Sequence, residues 1–230
     1  FRAPLGGLFR HVLDLARGQI ARGHAVGIFC DSTTGGARAD QVFAELTPQL
    51  ALGVTRVPMS RYPSFTDMQA QAAAVSTRRR IAPQIVHAHG SKGGVYARLP
   101  ALVAPGRRYV TAYTPHGGSF NYKPGSFSHT GYMAVESLLS RTTDLLLFES
   151  AYIGRRYHQF VGKCDALSRV IVNGVSPAEL VPVEPAPDAA DLFYIGELRS
   201  AKGIDTLIDS LPMVERMIGR RPSLVLVGSG

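Results

Sequence analysis

The sequence predicts an α/β protein: a parallel sheet with helices on both faces, followed by the opening of a second unit of the same kind. Three observations carry this. Short apolar runs alternate with segments of helical periodicity, the pattern of strands buried on both sides and joined by crossover helices. The runs end repeatedly in polar residues or glycine, so chemistry-bearing side chains gather at one edge. After a proline-rich interruption, strand, glycine-bounded loop and helix begin again at Asp191-Leu-Phe-Tyr-Ile-Gly196-Glu-Leu-Arg199-Ser-Ala-Lys202-Gly203.

In chain order, Gly6 and Gly7 precede a helix over 8–22. Phe9, Val12, Leu13, Ala16 and Ile20 keep helical spacing there, and Gly23 stops it. Apolar runs predict strands at 25–30, 54–58, 85–89, 109–113, 145–148 and 170–172, with helices at 65–80, 94–102, 132–141 and 151–160. Residues 117–131, rich in Gly, Ser, Tyr and Phe, read as a long loop, a length usually reserved for function or mobility. An opening strand before Gly6 is expected to be missing. Pro177, Pro182, Pro185 and Pro187 replace periodicity after Val175 and mark a linker. Beyond it come a strand at 192–195, a helix at 202–218 and a strand at 224–227 ending in Gly228-Ser-Gly230.

At 230 residues the chain is long for one α/β domain and short for two. The expected division is a domain over 1–175, a linker over 176–190 and the start of a second domain over 191–230. A strand, helix and strand cannot bury their own sheet, so the protein is expected to continue, and the absent initiator methionine suggests that its true start is missing too. With 45% apolar residues, a mean hydropathy of +0.05 and no apolar run near 18 residues, no membrane span is expected. The net charge is +8, and 21 of the 25 cations are arginine, whose fork suits phosphate. The cations are scattered, and Arg78-Arg79-Arg80 falls at a helix C-terminus where the dipole favours it, so nucleic acid is not an expected partner. Peripheral contact of a basic face with anionic lipid stays open. Cys30 and Cys164 lack a C-x-x-C partner, which fits a reducing, cytoplasmic setting.

Ligands of open α/β sheets bind beyond the carboxyl ends of the strands. Those ends carry His87-Ala-His89-Gly90, Thr114-Pro-His116-Gly117-Gly118, Glu149-Ser150 and Asn173-Gly174. At Gly6-Gly7 a helix start offers free N–H groups and about half a positive charge to an anion. His87, His89 and His116 form a candidate zinc set, but no acidic neighbour supports them and no metal is expected. Asp-x-Asp, G-x-G-x-x-G after a strand and G-x-S-x-G are all absent, so metal-anchored sugar transfer, dinucleotide binding and serine hydrolysis lose their usual signatures.

Taken together, Gly6-Gly7 before a helix bearing His11, the Gly23-His24 turn, Ile85 to Gly90, Thr114 to Gly117, Asn173-Gly174-Val175 and Ile195-Gly196 to Lys202-Gly203 resemble retaining glycosyltransferases of the GT-B fold, the family 4-like mannosyl- and glucosyltransferases. The resemblance covers nearly the whole chain. It implies two Rossmann-like domains facing across a cleft, and metal-independent transfer of a hexose from a nucleotide-diphosphate sugar to a sugar, lipid or polysaccharide acceptor, with retention and without a cofactor. By the same resemblance Gly6 and Gly7 present backbone N–H groups to the diphosphate, His116 is catalytic at the donor sugar, Gly117 lets backbone approach the ligand, and His89 lines the acceptor side. Lys202 contacts the donor phosphates. Glu197 stands where the family usually has arginine, so Arg199 either takes that role or pairs with Glu197. The family's paired glutamates would lie beyond Gly230, leaving this stretch inactive alone. The acceptor itself stays open: Phe120, Tyr122, Lys123 and Phe127 of the long loop could meet a sugar face, a lipid tail or nothing. A sugar-nucleotide epimerase on the same fold and a non-catalytic nucleotide- or sugar-binding fragment are the alternatives.

Overall fold

The computed structural model describes residues 1–103 and 109–228. Contacts divide the chain into two units, Phe1–Gly174 and Val175–Gly230.

In the first unit, α1 (Gly6–Ile20) buries Phe9, Val12, Leu13 and Ala16. Strand β1 (Ile28–Asp31) pairs in parallel with β2 (Val54–Val57), Ile28 opposite Val54. Between them lies α2 (Gly36–Leu46), a helix absent from the expected set. Its Ala39, Phe43 and Leu46 are buried against α1 and β1, with the rings of Phe9 and Phe43 5.3 Å apart. Taking a side chain the size of Phe43 or Leu46 from water contributes about 1.5–3 kcal/mol. Residues 1–4 occupy the place of the opening strand thought missing: Phe1 N donates to Phe29 O and Asp31 N to Arg2 O, both at 3.0 Å.

Helix α3 (Thr66–Ile81) then leads to a second sheet, β3 (Ile85–His89), β4 (Val110–Thr114), β5 (Leu145–Phe148) and β6 (Leu167–Val170), adjacent in that order and all parallel. The expected strand at 170–172 is displaced because β5 ends at Phe148, opposite Val170, and later residues have no strand to pair with. Helix α4 (Gly90–Val103) starts directly at the end of β3, four residues earlier than expected. The loop expected over 117–131 is shorter: a 3-10 turn spans Gly118–Asn121, and α5 (Phe127–Ser140) begins where the Ser126 hydroxyl accepts from His129 N. Ser150 caps α6 (Ala151–Phe160) in the same way, which accounts for that polar residue at the strand edge.

Ala88, Tyr113, Phe120, Met133, Leu146, Phe148, Ile153 and Tyr157 form the core around this sheet. Inside it, Arg98 of α4 pairs with Glu136 of α5 at 2.8 Å, their side chains 0% and 3% exposed. Tyr113 of β4 donates its hydroxyl to the same carboxylate at 2.8 Å, and the guanidinium sits 3.7 Å from the centre of the Tyr113 ring. Removing either ion would leave the other buried and uncompensated, at a cost of about 3–5 kcal/mol. Gly94 makes room for this knot, since a Cβ there would meet Arg98 and Tyr113 at 2.7 Å.

In the second unit a 3-10 turn, Pro177–Leu180, interrupts the expected linker. Strand β7 (Leu192–Ile195) pairs in parallel with β8 (Leu224–Val227), and α7 (Ile204–Ile218) connects them. A 3-10 turn over Ser200–Lys202 and Gly203 at φ +74° precede α7, so Lys202 stands in that turn rather than in the helix. Phe193 and Ile195 are 65% and 72% exposed. The close at Gly228-Ser-Gly230 falls partly outside the described residues. Among the described residues no helix is long and apolar enough to cross a membrane.

Candidate functional site

The period-two geometry of β3 puts His87 and His89 on one face, their ring centres 4.0 Å apart. In-register pairing sets Thr114, the last residue of β4, beside His89, and its hydroxyl lies 2.9 Å from His87 Nε2. The chain then turns sharply. His116, Gly117 and Gly118 have φ of +55°, +73° and +25°, and His116 is a non-glycine residue held in the left-handed region. That conformation costs an L-residue roughly 1–2 kcal/mol. Its local supports are evident: His116 N donates to Glu149 Oε2 at 3.3 Å, and Ser91 Oγ accepts from Ser119 N at 3.2 Å. A Cβ on Gly118 would meet Ser91 Oγ at 2.8 Å, and one on buried Gly117 would meet the Asn121 amide at 2.8 Å.

The turn folds the His116 ring back onto β3, where Nε2 lies 3.0 Å from His89 Nδ1. A third element reaches the same place. His11 of α1 has its ring centre 5.5 Å from that of His89 and 5.0 Å from that of His116. One imidazole nitrogen from each of His11, His89 and His116 lies within 4.8 Å of the other two. His89 is 5% exposed and sits beneath half-buried His11 and His116.

Burial is the first cause of the electrostatics here. It disfavours an imidazolium, and repulsion among the rings adds to it. His87 and His116 are lowered to about 4, His89 is held well below its ordinary range, and His11 is lowered despite the opposing pull of Asp14. All four rings are therefore neutral at pH 7, each with one N–H and one lone pair to offer. Burial likewise raises the Glu149 carboxyl, with hydrogen bonds from backbone N–H groups opposing it.

Gly6 and Gly7 open α1, one turn before His11. Both are exposed, and a Cβ on either would meet nothing within 4 Å. Leu5 supplies no side-chain cap and the first turn carries no acid, so its N–H groups have no capping side chain and the dipole lies behind them. The helix start abuts the end of β3: a Cβ on Gly90 would lie 3.3 Å from Leu8 Cδ1.

Five of the seven residues singled out by sequence, Gly6, Gly7, His89, His116 and Gly117, thus belong to the carboxyl edge of the first unit. Arg199 and Lys202 belong to the second. Both are exposed, and Arg199 Nε lies 2.6 Å from Glu197 Oε2, the pairing that had been one of its two expected roles. The sequence marks His11 only as part of the motif that follows Gly6-Gly7. Its signal was its position four residues after Gly7, on the border of the apolar stripe.

A second polar cluster lies at the end of β1. The fully buried carboxylate of Asp31 accepts from Thr33 N at 3.0 Å, Thr33 Oγ1 at 2.9 Å, Thr34 Oγ1 at 2.6 Å and Met59 N at 2.8 Å. Burial alone would raise its pKa, but these hydrogen bonds prevail and hold it below the usual carboxylate range.

The sequence profile described as Glycosyltransferase Family 4 matches residues 5–179. Glycogen synthase of Mycobacterium tuberculosis is 27% identical over 92% of this chain, which spans 55% of that protein's length. Among solved structures, sucrose-phosphate synthase of Thermosynechococcus elongatus superposes with a TM-score of 0.65 at 16% identity, over 100% of this chain and 66% of the other. Anabaena HepE, crystallised with UDP and glucose, superposes at 0.67 with 20% identity, over 99% and 58%. The architecture is the Rossmann-like α/β fold of GT-B glycosyltransferases, with its parallel sheet and helical layers. With a match that runs from the glycines of α1 past the last strand of the first unit, the chain belongs to glycosyltransferase family 4.

Proposed function

We propose that the full-length protein transfers a hexose from a nucleoside-diphosphate sugar to a carbohydrate or lipid-linked acceptor with retention of configuration. One observation carries the reading: the open, uncapped start of α1 at Gly6-Gly7 lies on the same edge as a neutral histidine cluster that includes His11 of the same helix and ends in His116. A dipole with free N–H donors suits a diphosphate, and a neutral imidazole suits a sugar hydroxyl. His116 then acts as a hydrogen-bonding group that orients the sugar, because burial leaves it uncharged. As the glycosidic bond breaks, negative charge grows on the leaving diphosphate, where fixed positive ends act most strongly. Gly6 and Gly7 supply backbone N–H groups in the first unit, and Lys202 is the cation assigned to the phosphates in the second. Arg199 is held by Glu197 and contributes less. The proposed reaction uses no metal and no cofactor beyond the donor, so it should persist in a chelator.

The UDP and glucose bound by HepE support a nucleotide-sugar donor. The free thiols of Cys30 and Cys164 suit a reducing, cytoplasmic compartment, and the basic surface suits peripheral contact with anionic lipid. The test is a donor and acceptor screen on the full-length protein, read by mass spectrometry. Lys202→Ala should lower turnover at least about tenfold while leaving the circular dichroism spectrum unchanged. A wild-type rate in that variant would remove Lys202 from the site, and donor isomerised without acceptor would mark an epimerase.

A further inference from the structure

We propose that His11, His89 and His116 form a binding site for one transition-metal ion of the Zn²⁺ class, and that the ion closes the site instead of serving the reaction. The binding clause stands on geometry alone. The closing clause rests on the transferase reading.

Three elements, α1, the end of β3 and the left-handed turn after β4, each bring one imidazole nitrogen to within 4.8 Å of the others. A tetrahedral zinc with Zn–N near 2.1 Å needs ligand nitrogens about 3.4 Å apart. His89 Nδ1 and His116 Nε2, at 3.0 Å, need only open by a few tenths of an ångström. The His11 nitrogen, within 4.8 Å of the other two, has to approach by at most about 1.4 Å, a shift open to a half-buried ring on a helix surface. Among the described residues, the hydrogen bond exchanged for the metal bonds is that between His89 and His116.

The surroundings favour this trio over the one formed by His87 in place of His11. His87 Nε2 is engaged by Thr114 and its ring packs beside His89. The carboxylate of Glu149 is turned to the backbone N–H of His116 and buttresses that ligand without joining the set. Three protein nitrogens leave a fourth position for water. Imidazole donors select Zn²⁺, Cu²⁺, Ni²⁺ and Co²⁺, whereas Mg²⁺ and Ca²⁺ require oxygen ligands. Bound metal takes the lone pair of His116 and fixes its ring, which denies the donor sugar its hydrogen bond.

The probe is Co²⁺ added to metal-stripped full-length protein, with no donor or acceptor present. One equivalent should develop the intense visible bands of a four-coordinate ion, Zn²⁺ should displace it, and excess Mg²⁺ should not. His11→Ala and His116→Asn should each weaken binding at least about tenfold with unchanged circular dichroism. His24→Ala and His158→Ala, at exposed histidines outside the cluster, should leave it intact. Absence of the bands at millimolar Co²⁺, or binding that survives both cluster substitutions, overturns the site. In the transfer assay Zn²⁺ should inhibit the wild type and spare the residual activity of His11→Ala; equal inhibition of both would overturn the closing clause while leaving the binding clause standing.

Discussion

The carboxylate at the end of β1 and the histidines at the ends of β3 and β4 are both buried polar groups on strand termini, yet they are satisfied in opposite ways. Asp31 collects four donors, three of them from the two threonines that follow it, and stays charged. The histidines are drawn from α1, β3 and the turn after β4, meet one another at ring contacts, and stay neutral. A saturated carboxylate fixes a loop and has little capacity for anything else. Neutral imidazoles brought together from separate elements, two of them half-buried, keep the capacity to bind. Buried polarity therefore marks a site only where its hydrogen-bonding potential is not already used up.

The contrast can be broken from either side. Asp31→Ala strands two backbone N–H groups and two hydroxyls, and should cost about 3–5 kcal/mol in urea unfolding, with turnover per folded molecule unchanged. A collapse in turnover at full stability would make Asp31 part of the site. His116→Asn keeps a side chain that tolerates the left-handed region. It should lower kcat about a hundredfold, near 2.7 kcal/mol, with a melting temperature within about 2 °C of wild type. A large loss of stability with normal kcat would reduce the histidine cluster to packing. The smallest effect is one of acidity. The folded Asp31 carboxyl lies below its unfolded value, so its contribution is complete above about pH 5 and fades as pH falls through the folded pKa. Stability measured from about pH 6 down to 3 should fall more gently in Asp31→Asn than in the wild type. Equal slopes would mean that other carboxylates govern the acid limb.

Much of this was legible in the residues because it is local. The stripe of Phe9, Val12, Leu13 and Ala16 shows α1, and the polar ends of the apolar runs show the edge where the histidines gather. Helix α2 is weakly marked because it opens at Gly35-Gly36, residues that favour turns over helix, and its buried stripe is sparse, held by tertiary contact with α1. The start of α5 was missed because one serine cap outweighed a stretch that read as loop. The meeting of His11 with His89 is a matter of distance in the fold, set by how α1 lies across the end of β3. No periodicity records it. The left-handed backbone of His116 is equally silent, since His-Gly-Gly names a turn without naming its hand.

That backbone has a consequence for selection. At φ +55° glycine would be more comfortable than histidine, so the residue that best suits the turn is not the one proposed to orient a sugar. A population screened only for heat resistance would drift to His116→Gly and gain a sturdier, idle protein. Screening the same library for transfer would pull it back, and position 116 would register the opposition between the two pressures more sharply than any residue of the core.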